Sequence, residues 1–552
     1  MADELTVSDD EPLDLIVVGA GFAGMYLLHR ARQLGLRAIV VEAGGDVGGT
    51  WYWNRYPGAR CDVESMEYSY GFDDDLQQEW QWDERYATQP EILRYADHVA
   101  ERYDLRRSIR FDTRVVAAHF DDAHDTWTVR TEGPIAGASS AGELTGSFVV
   151  MATGCLSSTN TPNFPGLADF AGPVLHTGRW PHEDVDLRGQ RVGVIGTGSS
   201  AIQSIPVMAE QAAHLTVFQR TANYAVPAHN RPLDRAEVDD VKARYAEFRE
   251  ANQQMVSAYG SRYGRNDVSV RAVDDETRDA TLEGRWANGG LPFLGAFNDL
   301  LLDPEANVLA AEFVRAKIRE LVTDPVVAER LSPNTVIGCK RLCVDTGYYA
   351  TFNRPNVTLV DVTEEPIETI TAGSVVTTGD ATGRGRITHE LDVLVLATGF
   401  DAMTGALAKI DIRGIAGRCL TDAWSAGPRT YLGLAVAGFP NLFLVTGPGS
   451  PSVLTNMMVS IEQHVRWISD CVAHLRTHGQ RRIEAKVDAQ DAWVEHVNLI
   501  ASFTLFPNCN SWYLGANVPG KPRVFMPLIG FPDYAARCAQ VVTDGYDGFT
   551  IG

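Results

Sequence analysis

At 552 residues the chain is long enough for roughly two or three domains, each with its own buried core. Its 45% hydrophobic and 22% charged content is that of a globular protein, and no apolar run approaches the ~20 residues that span a bilayer. A net charge of −23 excludes the basic face that nucleic acid or an anionic membrane would require of a partner.

The acidic opening M-A-D-E-L-T-V-S-D-D-E-P lacks the basic, apolar and small-residue regions of a signal peptide, which points to the cytoplasm. D-L-I-V-V-G-A-G-F-A-G follows from Asp14 to Gly24. It reads as a buried strand that opens through Gly19, Gly21 and Gly24 into a helix, the turn that lays backbone N–H groups against a diphosphate. The next apolar strand ends in Glu42, 23 residues beyond Gly19, where an acid holds the ribose hydroxyls of an adenine nucleotide. The aromatic stretch G-G-T-W-Y-W-N-R-Y-P-G-A-R-C-D, Gly48 to Asp62, suits the face of a flavin ring, although Trp53 reads equally as packing and Asp62 as a helix cap. Hairpin strands are expected between Leu105 and Val150, and F-V-V-M-A-T-G then returns the chain to the main sheet.

The segment F-A-G-P-V-L-H-T-G-R-W-P, with Phe170, Gly172, His176, Trp180 and Pro181, precedes a second glycine loop. That loop comprises Gly196, Thr197, Gly198, Ser199, Ser200 and Ala201. Its following strand ends in neutral Gln219 and then Arg220, 24 residues beyond Gly196. An arginine there accommodates a 2′-phosphate, whereas Glu42 suits a free 2′-hydroxyl. The contrast assigns FAD to the first loop and NADPH to the second.

Residues 231–331 have helical texture, with Val238, Val241, Tyr245 and Phe248 on one stripe, and read as an inserted lid. Lys340 and Arg341 follow, a pair that by itself reads as solvated surface. D-V-L-V-L-A-T-G-F-D from Asp392 copies the earlier A-T-G run and marks re-entry into the first domain. The expected architecture is therefore α/β, with two dinucleotide-binding, Rossmann-like domains. The FAD domain takes residues 1–154 and 390–552, the NADPH domain 155–230 and 332–389, and the helical insertion 231–331. Eight scattered cysteines show no C-x-x-C pair and no cluster with histidines, so free thiols and no metal site are expected.

Together these motifs resemble the type I Baeyer–Villiger monooxygenases. The carriers are F-x-G-x-x-x-H-x-x-x-W-P between two glycine loops and G-x-W-x-x-x-x-Y-P-G-x-x-x-D from Gly49 to Asp62. R-Y-P-G-A-R-C-D-V-E-S and G-S-P-S-V-L-T-N-M look nearest the phenylacetone and steroid monooxygenase branch. The resemblance implies conversion of ketones to esters or lactones with NADPH and O₂, through a flavin C4a-peroxide. It also implies site roles: Arg341 as the cation that stabilises oxyanion charge, Asp62 as its positioning carboxylate, and Lys340, Arg220 and Thr221 as phosphate contacts. Trp512 and Arg341 would lie near the nicotinamide half, and Thr50, Trp51, Tyr68, Asp62 and Met457 near the flavin. Cys155 and Leu454 would line the substrate pocket, and His176 would act on domain geometry. Cys155 departs from the polar residue expected in the phenylacetone enzyme, which leaves substrate size open. A flavin N- or S-oxygenase is the alternative activity.

Overall fold

The computed structural model describes residues 13–133, 142–379, 385–523 and 527–552; the acidic opening segment lies outside them. The fold is α/β and is organised by two sheets. Leu13–Val18 sits inside the first, paired in parallel with Ala38–Val41 on one side and with Gly142–Met151 on the other. A run this apolar cannot offer a solvated face, so it is covered on both sides. Arg114–Asp121, Thr126–Glu132 and Gly142–Met151 form an antiparallel meander on the same sheet. From the far end of the chain Leu442–Leu444 returns to pair with Val149 to Met151.

The second sheet is parallel throughout, in the order Val357–Asp361, His214–Gln219, Arg191–Ile195, Val393–Leu396, Val174–His176. This corrects the expected re-entry point at residue 390. Val393–Leu396 is held between two strands of the second sheet, so the chain leaves that sheet after Leu396. A short buried apolar run announces a parallel strand but not the sheet it joins, and the two A-T-G copies could not be told apart on that ground.

Between the sheets the chain crosses twice, after Met151 and after Leu396, and the two crossings pair with each other. Asn160 N donates to Gly399 O at 2.9 Å, Asp401 N to Ser158 O at 2.8 Å and Met403 N to Cys155 O at 2.9 Å. Residues 231–331 carry the helices Arg235–Ala243, Tyr245–Gln253, Asp275–Asn288, Pro304–Leu321 and Pro325–Leu331. Asp234, Asp274, Asp303 and Asp324 cap four of these helices, accepting backbone N–H groups that would otherwise lack partners. No described helix is long and apolar enough to cross a membrane.

The cysteine reading is corrected at one pair. Cys339 and Cys509 form a disulfide across 170 residues of sequence, with Cα atoms 5.7 Å apart, while Cys61, Cys155, Cys343, Cys419, Cys471 and Cys538 are free. Spacing arguments look for nearby cysteines and cannot see a pair that only tertiary structure makes adjacent.

Candidate active site

Both glycine loops are built alike. Gly19 at φ +108° and Gly196 at φ +120° each press against a crossing: a Cβ would meet Ala152 O at 2.6 Å and Ala397 O at 2.3 Å respectively. The A-T-G runs are thus the walls against which the loops turn. The helices Phe22–Gln33 and Ser199–Gln211 begin after Gly21 and Gly198 with no side-chain cap, unlike the Asp-capped helices of the insertion. Their first N–H groups remain available to an anion. A Cβ at Gly198 would meet nothing within 4 Å, and Gly24 packs so closely on Gly19 O that a Cβ there would lie 1.9 Å away. Glu42, buried at the strand end, accepts Ala20 N and Gly44 N at 2.7 Å each, which fixes its carboxylate beside the first loop. Thr197 Oγ1 donates to Thr221 O at 2.6 Å, tying the second loop to the end of its neighbouring strand. Ser200 Oγ lies 3.2 Å from Thr177 Oγ1, and Ser199 Oγ 3.2 Å from the Cys343 thiol.

Arg341 and Asp62 meet although 279 residues separate them. Arg341 Nε donates to Asp62 Oδ2 at 2.8 Å and Nη2 to Oδ1 at 2.8 Å, while Nη1 donates to Val453 O at 2.7 Å. The two side chains keep 21% and 20% of their surface exposed, so the pair is largely but not wholly withdrawn from solvent. Burial works against the charge, but the carboxylate outweighs it and holds the guanidinium pKa well above its ordinary value. Burial raises the phenol pKa values of Tyr259 and Tyr513, and the charge of Arg341 opposes that rise on both. Cys155 is buried against Ser452, and burial pushes its thiol up to about 11. Leu454 follows in the short helix Ser452–Leu454, next to the carbonyl that Arg341 holds.

Lys340 lies within the field of Arg220, and among the described residues neither has a carboxylate partner within salt-bridge distance. Burial, then the like charge of Arg220, lowers the Lys340 pKa. Two cations held together without an anion form a receptor for one. The aromatic cluster is also in place: Trp51 Nε1 donates to Tyr68 OH at 3.1 Å, with Thr50 exposed at the start of the same short helix. Met457 opens the helix Met457–Thr477, whose cap Asn456 also donates to Glu67 O at 2.8 Å, one residue before Tyr68. Trp512 is half-buried against Tyr513, their ring centroids 4.4 Å apart.

His176 sits at the junction of the crossings. Its Nδ1 accepts Gly178 N at 2.9 Å, and its Nε2 lies 3.3 Å from both Asn160 O and Thr398 Oγ1. Burial lowers its pKa, so it is neutral there with Nε2–H donating. Phe170 and Trp180 are buried in two different apolar clusters, with Pro181 partly covered beside Trp180. A Cβ on Gly172 would meet Asp392 O at 2.1 Å, so the segment fits against the start of the strand Val393–Leu396.

Sequence reasoning missed the residues that hold these parts together. Asn517 accepts through its backbone carbonyl from Asn160 Nδ2 at 3.0 Å and donates from Nδ2 to Phe400 O at 2.7 Å, while Lys521 Nζ donates to Asp401 Oδ1 at 2.6 Å. The strap from Phe506 to Arg523 is thereby fastened to both crossings. Beneath the aromatic cluster, Arg85 donates to Glu64 at 2.9 and 2.8 Å and to Asn288 O at 2.9 Å, joining the first sheet's loops to the insertion. Glu67 accepts Gly260 N at 3.0 Å, and burial, then the charge of Glu64, raises its pKa. Single polar residues in loops gave no periodic signal by which to find them.

Residues 16–263 match the family model described as pyridine nucleotide-disulphide oxidoreductase. The solved structure of an oxidised steroid monooxygenase bound to NADP is 51% identical with a TM-score of 0.91, covering 98% of this chain and 99% of that one. A Baeyer–Villiger monooxygenase from Pseudooceanicola batsensis is 41% identical over 97% of this chain and 95% of its own length. A phenazine N-monooxygenase from Lysobacter antibioticus is 40% identical over 99% of this chain and 98% of its own. With likenesses of this depth along its whole length, the chain belongs to the type I Baeyer–Villiger monooxygenases, FAD- and NADPH-dependent enzymes that convert ketones to esters or lactones.

Proposed function

We propose that FAD lies along the first glycine loop, that NADPH lies along the second, and that a ketone is oxygenated beside Arg341. The two sheets then serve as two dinucleotide-binding domains, with the boundary drawn after Leu396 and residues 231–331 as a helical insertion in the NADPH domain. The observation that carries this reading is the two-point contact of Arg341 with Asp62, which brings a cation from beyond the insertion to the flavin side.

When bound, FAD takes hydride from NADPH and activates O₂. The chain's own residues do the rest. Glu42 receives the ribose hydroxyls, while Arg220, Lys340 and Thr221 receive the 2′-phosphate and so select NADPH. Thr50, Trp51, Tyr68 and Met457 enclose the flavin ring, and Trp512 covers the nicotinamide. Asp62 holds Arg341 so that its free edge faces the charge gathering on oxygen during insertion. A guanidinium stabilises that charge without releasing a proton of its own. Cys155 and Leu454 present an apolar wall to the ketone, and His176 sets the angle between the crossings. The NADPH requirement fits a cytoplasmic enzyme.

The test is turnover under isotopically labelled dioxygen with NADPH and a panel of aryl, small cyclic, macrocyclic and steroidal ketones, plus an N-heteroaromatic. One labelled oxygen in an ester or lactone is expected. N-oxide formation with no ester from any ketone would overturn the reading in favour of N-oxygenation.

A further inference from the structure

The disulfide joins the two segments that flank the proposed nicotinamide site. Cys339 immediately precedes Lys340 and Arg341, and Cys509 lies on the strap three residues before Trp512. The strap is fastened at its other end, through Asn517 and Lys521, to the crossings between the sheets. Near Cys509, its Sγ lies 3.3 Å from Leu505 O, and Leu505 N donates to Leu301 O at 2.9 Å. With the bond formed, the strap is anchored at both ends. With the bond broken, its Trp512 end depends on packing and these neighbours.

We propose that Cys339 and Cys509 are a redox modification site, a thiol pair oxidised by hydrogen peroxide to a disulfide that latches the strap over bound NADP⁺. The Cα separation of 5.7 Å lies within the roughly 4.4–6.8 Å that a disulfide spans, so the backbone is already set for the bond. Cys339 and Cys509 are only 4% and 6% exposed, which disfavours bulky oxidants and leaves hydrogen peroxide, a molecule little larger than water, as the oxidant of choice. The chemistry balances in two steps. One thiolate attacks peroxide, the O–O bond breaks, and a sulfenic acid and water result. The second thiol attacks that sulfur, forming S–S and releasing a second water. Both sulfurs are oxidised by one equivalent, peroxide is the species reduced, and the two thiol protons leave in water. Unproductive turnover of a reduced flavin with O₂ yields this oxidant at the enzyme itself, and a dithiol reverses the bond. In a reducing cytoplasm such a pair rests as thiols and closes on oxidation.

The latching role rests on the placement of NADPH beside Lys340; formation of the bond does not. Holoenzyme is prepared under reductant, then treated with hydrogen peroxide or left untreated. The linked peptide is sought by mass spectrometry, and NADP⁺ dissociation is followed by stopped-flow displacement. A strap docked about a tenth of the time when free and always when latched predicts a roughly tenfold lower Kd for NADP⁺ in the oxidised protein, read at an unchanged association rate as roughly tenfold slower dissociation. Dithiothreitol should restore the fast rate, and C509S should release NADP⁺ at the reduced rate with or without peroxide. Thiols unchanged by peroxide, or oxidation of either cysteine without the linked peptide, would overturn the site. Linkage with an unchanged dissociation rate would overturn the latch. Should C509S fail to fold, the oxidised and reduced wild-type protein still decide. A loss of phosphate selectivity failing to appear in R220A would sink the NADPH placement alone, leaving the linked peptide as an independent readout.

Discussion

Replacing Asp62 by alanine removes both acceptors from Arg341 Nε and Nη2 and leaves its guanidinium with Val453 O alone. Losing one member of a buried pair costs about 3–5 kcal/mol, and with a fifth of each side chain exposed the lower end of that range applies. Part of the cost appears as stability, and part as freedom of the arginine to leave its working position. A misplaced oxyanion donor costs about 2.7–4 kcal/mol, or roughly 10²–10³ in rate. Asp62→Ala should therefore slow ester formation by about a hundredfold or more. Asp62→Asn, which keeps one acceptor but not the charge, should fall between the variant and the wild type. Hydride transfer from NADPH needs no oxyanion stabilisation and should change far less, so NADPH consumption should become uncoupled and yield hydrogen peroxide. Stopped-flow flavin reduction, followed by product analysis, separates the two stages. Ester formation by Asp62→Ala within about threefold of wild type would refute the claim that this contact positions the arginine.

Arg220→Ala should raise the KM for NADPH about tenfold or more and leave that for NADH nearly unchanged, since one charge-assisted contact contributes roughly 1.5–3 kcal/mol; steady-state kinetics with both nucleotides check it. Lys340 enters the site with a lowered pKa, so affinity for NADP⁺ should decline as pH rises through that value and its charge is lost. Lys340→Arg keeps its charge and should flatten this alkaline limb in a titration of Kd against pH. His176→Ala should retain FAD yet uncouple NADPH oxidation from ester formation, because it removes the contacts to Asn160 O and Gly178 N without touching a glycine loop; flavin absorbance and the product ratio read the two effects. The folded protein holds a proton on Glu67 up to its raised pKa, whereas the unfolded chain releases it in the usual carboxylate range. Stability should thus fall as pH rises between those values, and Glu67→Gln should raise Tm at about pH 8 with little effect near pH 4.

Local signals in the sequence carried as far as local physics reaches. Gly19 and Gly24 announce a turn because no other residue tolerates the approach to Ala152 O and Gly19 O that the structure contains. Glu42 and Arg220 are read as selecting two different nucleotides because each follows a strand end at a fixed distance from its loop. The sheet membership of Val393–Leu396 was not legible, since four buried apolar residues satisfy either sheet equally well. Nor was the meeting of Arg341 with Asp62 legible from composition or spacing; only family resemblance suggested it, because a separation of 279 positions leaves no local record of the contact. The disulfide escaped for the same reason, and the resemblance was silent about it.

The location of these non-local contacts explains why the fold places its chemistry where it does. Asp62 belongs to the chain before the first crossing, whereas Arg341 follows the helical insertion, so their two-point contact exists only when both parts are closed on one another. His176, Asn160, Thr398, Asn517 and Phe400 converge on the crossings themselves, where a small rotation would be magnified at the site. A carboxylate and a cation carried on a single element would stay paired whatever the nucleotide occupancy. Split across the crossings, the pair joins a residue before the first crossing to one beyond the insertion. On the proposed placement of the nucleotides, a contact assembled from both sides of the crossings is what oxygen insertion would depend on, and its sequence separation is what would let it report an assembled site.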